Sequence, residues 1–342
     1  YGLLVLVLVV TTITSIIFLA PVDPAQLTFG QRSDVSTVQA KTAELGLDQP
    51  LYVQLGHYLT DLSPLSVLTQ TPENQRKHRF IRLFPAGADR YWVLKMPYLR
   101  ESYQTGRPVA EILADAIPVT ALLASVALLL ATILGLGLGV VAALRPHTGW
   151  DHFISIISVF GYSLPTYVAA MLLALVFAYA LGDWTGLNIQ GSLYVLDDFG
   201  DWQLQGRNLV LPALALGLRP VALITQLTRS AMLEVLAQDY VRTARAKGLP
   251  VRQVILRHAL RNALNPLVSA ISGWFAALLT GAFFVENVFN FKGLGDATVT
   301  ALLNFDIPVV LGCVLFTTAV FVVINVIADL LYAWLDPRIR MG

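Results

Sequence analysis

Long uninterrupted runs of apolar residues dominate the sequence and alternate with shorter polar segments. A helix needs about 20 apolar residues to cross the roughly 30 Å hydrocarbon core of a bilayer, where all its backbone hydrogen bonds must be internal. Five windows of suitable length contain no Lys, Arg, Asp or Glu, namely residues 2–20, 118–144, 153–181, 264–285 and 307–328. The pattern therefore predicts at least five membrane-spanning helices.

A sixth apolar window, residues 209–228, is less clear because it contains Arg219 followed by a proline. The flanking charges decide whether it crosses. Residues 182–208 carry four aspartates against one arginine, whereas residues 229–261 carry seven Lys/Arg against two acids. Positive loops stay in the cytoplasm, so these segments lie on opposite sides of the membrane. We therefore predict an all-α polytopic membrane protein with six transmembrane helices and cytoplasmic N and C termini.

The polar segment between the first two spans, residues 21–117, is predicted to be a large extracytoplasmic loop. Its end, residues 108–116, has the pattern of a short amphipathic helix lying along the membrane surface. Its apolar face would carry Val109, Ile112, Leu113 and Ala116, and its polar face Glu111 and Asp115. Residues 62–97 show no clear period, so no structure is predicted for them.

Composition supports a membrane environment and argues against nucleic acid as a partner. Hydrophobic residues make up 56% of the chain and charged residues 13%, with a mean hydropathy of +0.66 and a net charge of +1. Soluble domains have about 25% charged residues. The single cysteine, Cys313, cannot form an internal disulfide and is predicted, with Gly135, Gly137 and Gly139, to be a packing residue. Because Tyr1 already lies in an apolar stretch, we expect an initiator methionine and some residues to precede it, and no cleaved signal peptide.

Sequence patterns of several enzyme classes are missing. No lysine follows a glycine, so the chain has no P-loop for ATP, and the five histidines form no H-E-x-x-H pair. The stretch "GYSLP" approaches the G-x-S-x-G pattern around Ser163, but a proline replaces the last glycine. We interpret Ser163 as part of a weak point in the third span, where a hydroxyl bonds a backbone carbonyl.

The stretch "QDYVRTARAKGLPVRQVILRHALRNALNP", residues 238–266, is strongly basic. Helix-forming residues lead to Gly248, which suits the left-handed turn that ends a helix, and Pro250 suits the start of another. The second helix would place Val251, Val254, Ile255 and Leu256 near one face. Two short helices at a fixed bend are therefore predicted in the cytoplasm. An alternative is a solvated basic loop that only sets the topology by attracting anionic lipid.

This basic stretch resembles the cytoplasmic coupling loop of ABC-importer permeases, in the D-Y-x-R-T-A-R-A-K-G form of the dipeptide/oligopeptide/nickel permease family. Further stretches are similar to family signatures, in order, over nearly the whole chain. These are "APVDPA", "LGLDQPLYVQ", "TGRPVAEIL", "SLPTY", "LTRSAMLEVL", "FFVENVFNFKGLG" and "DLLYAWLDPRIR". Two departures are residues 62–97, which look like an insertion, and Lys292, where the family usually has proline.

The resemblance implies the type I ABC importer permease fold, as a single transmembrane domain over residues 1–342 in a bacterial inner membrane. It implies four kinds of partner: a second homologous permease, two ABC ATPase subunits, an extracytoplasmic solute-binding protein and membrane lipid. ATP and Mg would be bound by the ATPases, and no cofactor by this chain. The chain would be no enzyme but half of a translocation pathway for di-/oligopeptides or a related small solute. An ion-coupled secondary transporter is the alternative, and it should show membrane-embedded acids and paired broken helices.

The resemblance also assigns residues to the ATPase-coupling step. Residues 229–263 would form the coupling loop. Its coupling residues would be Asp239, Tyr240, Arg242, Thr243, Ala244, Arg245, Ala246, Lys247 and Gly248. The small side chains of Ala244 and Ala246 would let the helix approach the partner closely.

Three residues are candidates for the translocation pathway: Arg219, Glu286 and Ser163. A charge inside the bilayer costs about 2.5–3.5 kcal/mol on insertion scales, so Arg219 should have a polar neighbour. It would either pin the fourth helix to another helix or to a partner permease, or line the pathway and meet a carboxylate. Glu286 matches the family's E-x-V-F near the outer end of the fifth helix, where we expect capping or gate packing before substrate contact.

Overall fold

The computed structural model describes residues 8–9, 11–13, 15, 49–69, 71, 80–87, 89–197 and 199–335. The first predicted span, residues 2–20, lies almost wholly outside the described residues, as do residues 21–48 of the external loop and the basic C terminus. The chain divides into two compact units, one of Tyr1–Asp115 with Thr300–Thr318 and one of Ala116–Val299 with Ala319–Gly342.

The first unit contains a short helix and a small sheet. Helix α1, Leu51–Leu62, begins directly after Pro50, whose fixed φ suits the start of a helix. Three antiparallel strands follow in the spatial order β1-β3-β2, and they are β1 Leu65–Thr69, β2 Phe80–Pro85 and β3 Arg90–Lys95. The segment 62–97, for which the sequence predicted no structure, therefore holds a sheet, with a bulge between Arg82 and Phe84.

Among the described residues, the remaining elements are helical apart from one hairpin, β4 Tyr194–Leu196 with β5 Trp202–Leu204. The helices are α2 Val109–Leu144, α3 Gly149–Ser163, α4 Thr166–Leu173, α5 Gly182–Thr185, α6 Arg207–Leu236, α7 Asp239–Ala246, α8 Val251–Gln253, α9 Arg261–Gly281, α10 Phe283–Phe289, α11 Leu294–Leu303 and α12 Ile307–Leu335.

In the turn between β4 and β5, backbone N–H groups donate hydrogen bonds to the Asp197 carboxylate. These bonds, that from Asp201 foremost, hold the pKa of Asp197 below its usual range.

Three of the described helices are long and apolar enough to cross a membrane: Val109–Leu144, Arg207–Leu236 and Ile307–Ile327. They cover the predicted second, fourth and sixth spans. The helix α9 covers most of the predicted fifth span. Helicity at these windows is thus confirmed, while six crossings and the placement of the external loop stay predictions.

Two predicted boundaries in the helical part are wrong. Residues 108–116 are no separate surface helix but the first turns of α2, which continues through Pro118. The predicted amphipathic pattern holds nevertheless, because Val109, Leu113 and Ala116 are buried whereas Glu111 and Asp115 are exposed.

The predicted third span is interrupted at the "SLP" stretch. Helix α3 ends at Ser163, and α4 starts after Pro165 and continues as a π-helical segment, Ala174–Ala180. The helical stretch Thr166–Ala180 lies at an angle of 111° to α3. Proline has no N–H for the preceding turn, and its ring restricts the residue before it to extended backbone. The weak point predicted at Ser163 is therefore a full break, and α3 and α4 form a bent pair that counts at most as one span.

Small residues let α2 and α6 approach each other closely. A Cβ on Gly135 would lie 2.7 Å from the Cβ of Ile224, and one on Gly139 would lie 2.5 Å from the Cβ of Thr228. Gly137 has nothing within 4 Å of its Cβ position. The packing role predicted for Gly135 and Gly139 is confirmed. Gly137 lies on the other side of α2 and has no such contact among the described residues, so its packing role stays a prediction.

The second helix of the basic stretch is longer than predicted. From Val251 the chain is helical through α8, a π-helical turn at Val254–Leu260 and α9. The predicted apolar face is also wrong, since Val254 is buried while Val251 and Leu256 are exposed. The π-helical turn changes the angular spacing, so the 3.6-residue period does not apply across it.

Candidate functional site

The basic stretch begins with α7, a helix of eight residues. The preceding Gln238 has extended backbone, and the Thr243 hydroxyl bonds the Asp239 carbonyl at 2.9 Å. After the helix, Gly248 adopts φ +77°, the left-handed conformation that lacks a steric penalty only in glycine. The predicted helix and its left-handed end are both confirmed.

One side of α7 is fixed to the protein. Val241 and Ala244 are buried and pack with Val254 of the π-helical turn. Since residues three apart share a helix face, Ala244 points inward with Val241. Of the two alanines predicted to form a small-residue contact face, Ala244 is therefore buried against the protein and only Ala246 is exposed. A contact of Ala246 with a partner stays a prediction.

The other side of α7 is exposed and cationic. Its exposed residues after the first turn are Arg242, Thr243, Arg245 and Ala246, and Lys247, which directly follows the helix, is exposed too. Arg242 lies 3.6 Å from Asp239, but both side chains are largely exposed, and such surface pairs contribute about 0–1 kcal/mol. The three cationic groups are thus available to an acidic surface.

Tyr240 attaches α7 to a second element. Its hydroxyl accepts a hydrogen bond of 2.8 Å from the side-chain amide of Asn262, at the start of α9. The α7 helix therefore contacts both the π-helical turn and α9, so a displacement of α7 would be transmitted to α9. The pattern of the sequence did not indicate this hydrogen bond, because the two residues are 22 positions apart.

Glu286 lies in a buried hydrogen-bonded cluster with Thr120 of α2. The Thr120 hydroxyl donates to Glu286 Oε1 at 2.7 Å and accepts from the Leu294 N–H at 2.7 Å. The N–H groups of Gly295 and Asp296 donate to Oε2 at 2.7 and 3.2 Å. Glu286 thus caps the N terminus of α11, a helix that the sequence analysis did not predict, and its carboxylate is fully buried rather than on an open surface. Capping was one of the two roles expected for Glu286, and gate packing stays a prediction.

Glycines make this cluster possible. A Cβ on Gly293 would lie 2.5 Å from both Glu286 Oε2 and the Thr120 hydroxyl. The neighbouring Lys292, at the position where the resembled family usually has proline, forms an ion pair of 3.2 Å with Asp296. Thr120 was missed by the sequence analysis, because nothing local marks a threonine inside an apolar span as a hydrogen-bonding partner.

Arg219 and Ser163 occur on exposed parts of α6 and α3. The Arg219 guanidinium carbon lies 5.8 Å from the centre of the Tyr162 ring. Among the described residues no acidic side chain forms an ion pair with Arg219. The Ser163 hydroxyl donates to the Val159 carbonyl at 2.8 Å, the bond expected of a serine at a helix break. Glu286 and Arg219 do not form one cluster.

The chemistry of these sites is that of fixed charges and hydrogen bonds. Within the described part of the chain, no group of three or more His, Cys, Asp or Glu side chains could hold a metal ion. The helix α7 has one face packed against the protein and one exposed cationic face. The Glu286 cluster joins the start of α11 to α2. Both arrangements suit the transmission of movement between helices.

Known proteins match this chain along its length. A family profile described as "Binding-protein-dependent transport system inner membrane component" matches residues 135–341. A second profile, for the N-terminal part of such membrane components, matches residues 1–124.

Two curated relatives carry transport names. The probable D,D-dipeptide transport system permease protein DdpB of Escherichia coli (strain K12) is 34% identical over 100% of this chain and 96% of its own length. The di/tripeptide transport system permease protein DppB of Pseudomonas aeruginosa (strain UCBPP-PA14) is 34% identical over 97% of this chain and 94% of its own.

A solved structure has a similar fold. It is an inward-facing conformation of the MetNI methionine ABC transporter, in the CY5 native crystal form. The TM-score is 0.53 at 17% identity, and the match covers 66% of this chain and 97% of the other. At this identity the likeness concerns the fold alone.

Proposed function

We infer the function from the family of the protein: this chain belongs to the binding-protein-dependent transport system inner membrane components. It is a permease of an ABC importer, a transport component rather than an enzyme. The solute we propose is a di- or oligopeptide, or a related small solute, because the relatives' names specify dipeptides and di/tripeptides. The chain would form half of the pathway, and the process would move a solute without changing a covalent bond.

The coupling element we propose is α7 with its glycine turn. The supporting observation is its two-sided structure: Val241 and Ala244 hold one face to the protein, and Arg242, Arg245 and Lys247 extend from the other. A helix transmits a push as a rigid body because its backbone hydrogen bonds are internal. The full set of contacts would involve residues 239–248 inside a cytoplasmic loop over residues 229–263. This two-sided arrangement of α7 supports the proposal that ATP hydrolysis in a partner ATPase subunit moves this chain.

Six transmembrane helices with both termini in the cytoplasm are the topology we propose. The support is the charge difference between residues 182–208 and residues 229–261, which flank the membrane-length helix α6. In this topology α7 faces the cytoplasm, and the sheet of the first unit faces the other side.

The partners follow from the family and from the missing P-loop. The family is defined by dependence on a binding protein, and energy must come from ATPase subunits. We propose two ABC ATPases that bind ATP and Mg, a second homologous permease and an extracytoplasmic solute-binding protein. This chain itself would bind no cofactor.

Arg219 and Ser163 are the pathway residues that we propose; Ser163 directly follows Tyr162, whose ring lies beside the Arg219 guanidinium. An arginine within a membrane-length helix is too costly to face lipid, and Arg219 is exposed on this chain with an aromatic ring beside it. A partly desolvated guanidinium binds carboxylates strongly. It would therefore contact the terminal carboxylate of a peptide. The buried Glu286 would support the gate without touching solute.

The experiment is reconstitution of this chain with its partner permease, ATPases and binding protein in proteoliposomes. We expect a set of dipeptides and longer peptides, presented with the binding protein, to stimulate ATP hydrolysis and to accumulate inside. A matched complex with a hydrolysis-deficient ATPase should not accumulate peptide. Uptake that continues without ATP hydrolysis but stops when a protonophore is added would instead indicate an ion-coupled secondary transporter, and would contradict the proposal.

A further inference from the structure

The sheet of the first unit has one face made almost entirely of exposed apolar side chains. The register pairs Leu94 of β3 with Leu65 on one side and Ile81 on the other. The next row pairs Trp92 with Val67 and Phe84. Side chains of directly paired residues lie on the same face of a sheet. We call this six-residue surface the apolar sheet face; its members are 38–68% exposed.

The opposite face of the sheet is attached to α1. Val93 and Lys95 are buried, and the Lys95 ammonium donates to the Asp61 carbonyl at 3.0 Å. The Ser66 hydroxyl donates to the Thr60 carbonyl at 3.2 Å. The sheet therefore has a fixed orientation on α1, and the apolar sheet face is the one left without a protein neighbour among the described residues.

Short, bonded connections hold the sheet near the ends of two membrane-length helices. The segment after β3 is fixed by an ion pair of 2.9 Å between Arg100 and Asp61. The Ser102 hydroxyl and the Tyr103 N–H both donate hydrogen bonds to the Asp306 carboxylate, at 2.5 and 3.0 Å. Asp306 directly precedes α12, and α2 begins at Val109. The sheet thus cannot move far from the bilayer that these helices cross.

The charge of the segment suits a phospholipid surface. Residues 62–97 contain six Lys/Arg against two acids, a formal net charge of 6 − 2 = +4. Of the six, Arg82 and Lys95 lie on the opposite face of the sheet, and residues 76, 77 and 79 lie outside the described residues. Arg90 lies at the edge of the apolar sheet face, because it alternates with Trp92 and Leu94 along β3. Tryptophan is enriched where headgroups meet acyl chains, and each basic residue near an anionic membrane contributes about 1 kcal/mol.

We propose that the apolar sheet face lies in the headgroup region of the surrounding bilayer and that anionic phospholipid holds it there. The face would add to the membrane contact that the length and apolar composition of α2 and α12 predict, and an exposed apolar surface of this kind is costly in water. A second copy of the same face fits less well, because two segments of net charge +4 would repel each other. The inference depends on the chain being a membrane protein and not on which solute it carries.

The test uses the full chain, in its assembled complex, in lipid nanodiscs. The only cysteine, Cys313, is replaced by alanine, and a polarity-sensitive NBD label is attached through Ile81→Cys. In nanodiscs of phosphatidylcholine with phosphatidylglycerol we expect blue-shifted emission and quenching by lipids with a nitroxide near the headgroup. The quenching should weaken when phosphatidylglycerol is omitted.

The matched control is Arg82→Cys, one residue along on the opposite face of β2, whose label should emit as in water and resist lipid quenching. Leu94→Cys gives a second probe if Ile81→Cys does not assemble. Unquenched, water-like emission at positions 81 and 94 would overturn the proposal. So would a label that becomes shielded only when the solute-binding protein is added, since the occupant would then be that protein. Equal quenching in both lipid mixtures would refute the role of anionic headgroups.

Discussion

Asp151 holds the guanidinium of Arg229 in two hydrogen bonds, Nε to Oδ1 at 2.5 Å and Nη2 to Oδ2 at 2.8 Å. The N–H of His147 donates to the same carboxylate at 2.9 Å. Asp151 lies in the first turn of α3 and Arg229 lies in α6, so the pair joins two helices through residues that are 78 positions apart in the sequence. The Asp151 side chain is only 4% exposed, so this ion pair differs from an ordinary surface pair.

Replacing Arg229 by alanine should destabilise the protein strongly. The change leaves a buried carboxylate without its counter-charge, which costs roughly 3 kcal/mol. Arg229→Lys should lie between wild type and Arg229→Ala, since an ammonium cannot form the two-pronged contact. The measurement is the thermal unfolding midpoint of the purified chain in detergent. As a control, Asp183→Ala removes an exposed aspartate and should leave the midpoint unchanged; a wild-type midpoint for Arg229→Ala would show that the pair does not stabilise the fold.

Local sequence patterns predicted the helices and the glycine turn, whereas they did not predict the contacts between residues far apart in the sequence. Helicity and the Gly248 turn depend on side chains within a few positions, and the chain carries those signals directly. The break at Ser163 was expected only as a weak point, because its angle depends on what α3 and α4 pack against. The pairs of Asp151 with Arg229 and of Thr120 with Glu286 join residues far apart in sequence, which periodicity does not reveal.

The sheet was missed for a different reason. Alternation is present in β3, where Trp92 and Leu94 are exposed and Val93 is buried. In β2 the bulge at Leu83 interrupts the two-residue period, and Ile81 and Phe84 are three positions apart on the same face. An apolar outer face also removes the usual contrast between buried apolar and exposed polar positions.

Replacing two nearby glycines of α2 by alanine should change the stability of the protein in opposite directions. Gly139→Ala would force its Cβ to within 2.7 Å of the Thr225 carbonyl oxygen, so α2 and α6 would have to separate. Gly137→Ala meets nothing within 4 Å and should stabilise α2 by about 0.5–1 kcal/mol, since alanine favours helix more than glycine. Unfolding midpoints of the two variants measure this. Equal effects would contradict the close contact between the helices.

The left-handed turn at Gly248 should be needed for coupling. Gly248→Val places a β-branched side chain at φ +77°, which costs about 1–2 kcal/mol and should reorient α7 against α9. We expect uptake and solute-stimulated ATP hydrolysis to fall while the chain still inserts in the membrane. Asparagine tolerates this conformation, so Gly248→Asn should retain most activity. If both variants transport like wild type, the turn has no part in coupling.

Replacing Arg219 should lower transport more than it impairs assembly with the partner permease. Arg219→Gln removes the cation that we propose for the peptide carboxylate, and loss of one charged hydrogen bond should lower uptake roughly tenfold. Tyr162→Phe keeps the aromatic ring beside the guanidinium and serves as the control with near-normal uptake. Uptake per assembled complex is the measurement, with co-purification of the partner permease as the check on assembly. Loss of the partner permease in Arg219→Gln would instead assign Arg219 to the subunit interface.

The hydroxyl of Thr120 should stabilise the buried cluster around Glu286. Thr120→Val keeps the shape of the side chain but leaves Glu286 Oε1 and the Leu294 N–H without their partner. Each unsatisfied buried group costs about 1–3 kcal/mol, so the unfolding midpoint should drop clearly. Thr120→Ser keeps the hydroxyl and is the matched control.

The same cluster allows a stricter test of the link between α2 and the start of α11. If Thr120 acts through Glu286, the double variant Thr120→Val with Glu286→Leu should be less destabilised than the sum of the two single variants, because each single change removes the same hydrogen bond between the two side chains. Residues without a shared partner give additive effects. Additive midpoints would therefore mean that Thr120 contributes packing alone. A coupling that is present in stability and also in uptake would assign the cluster to the moving part of the gate.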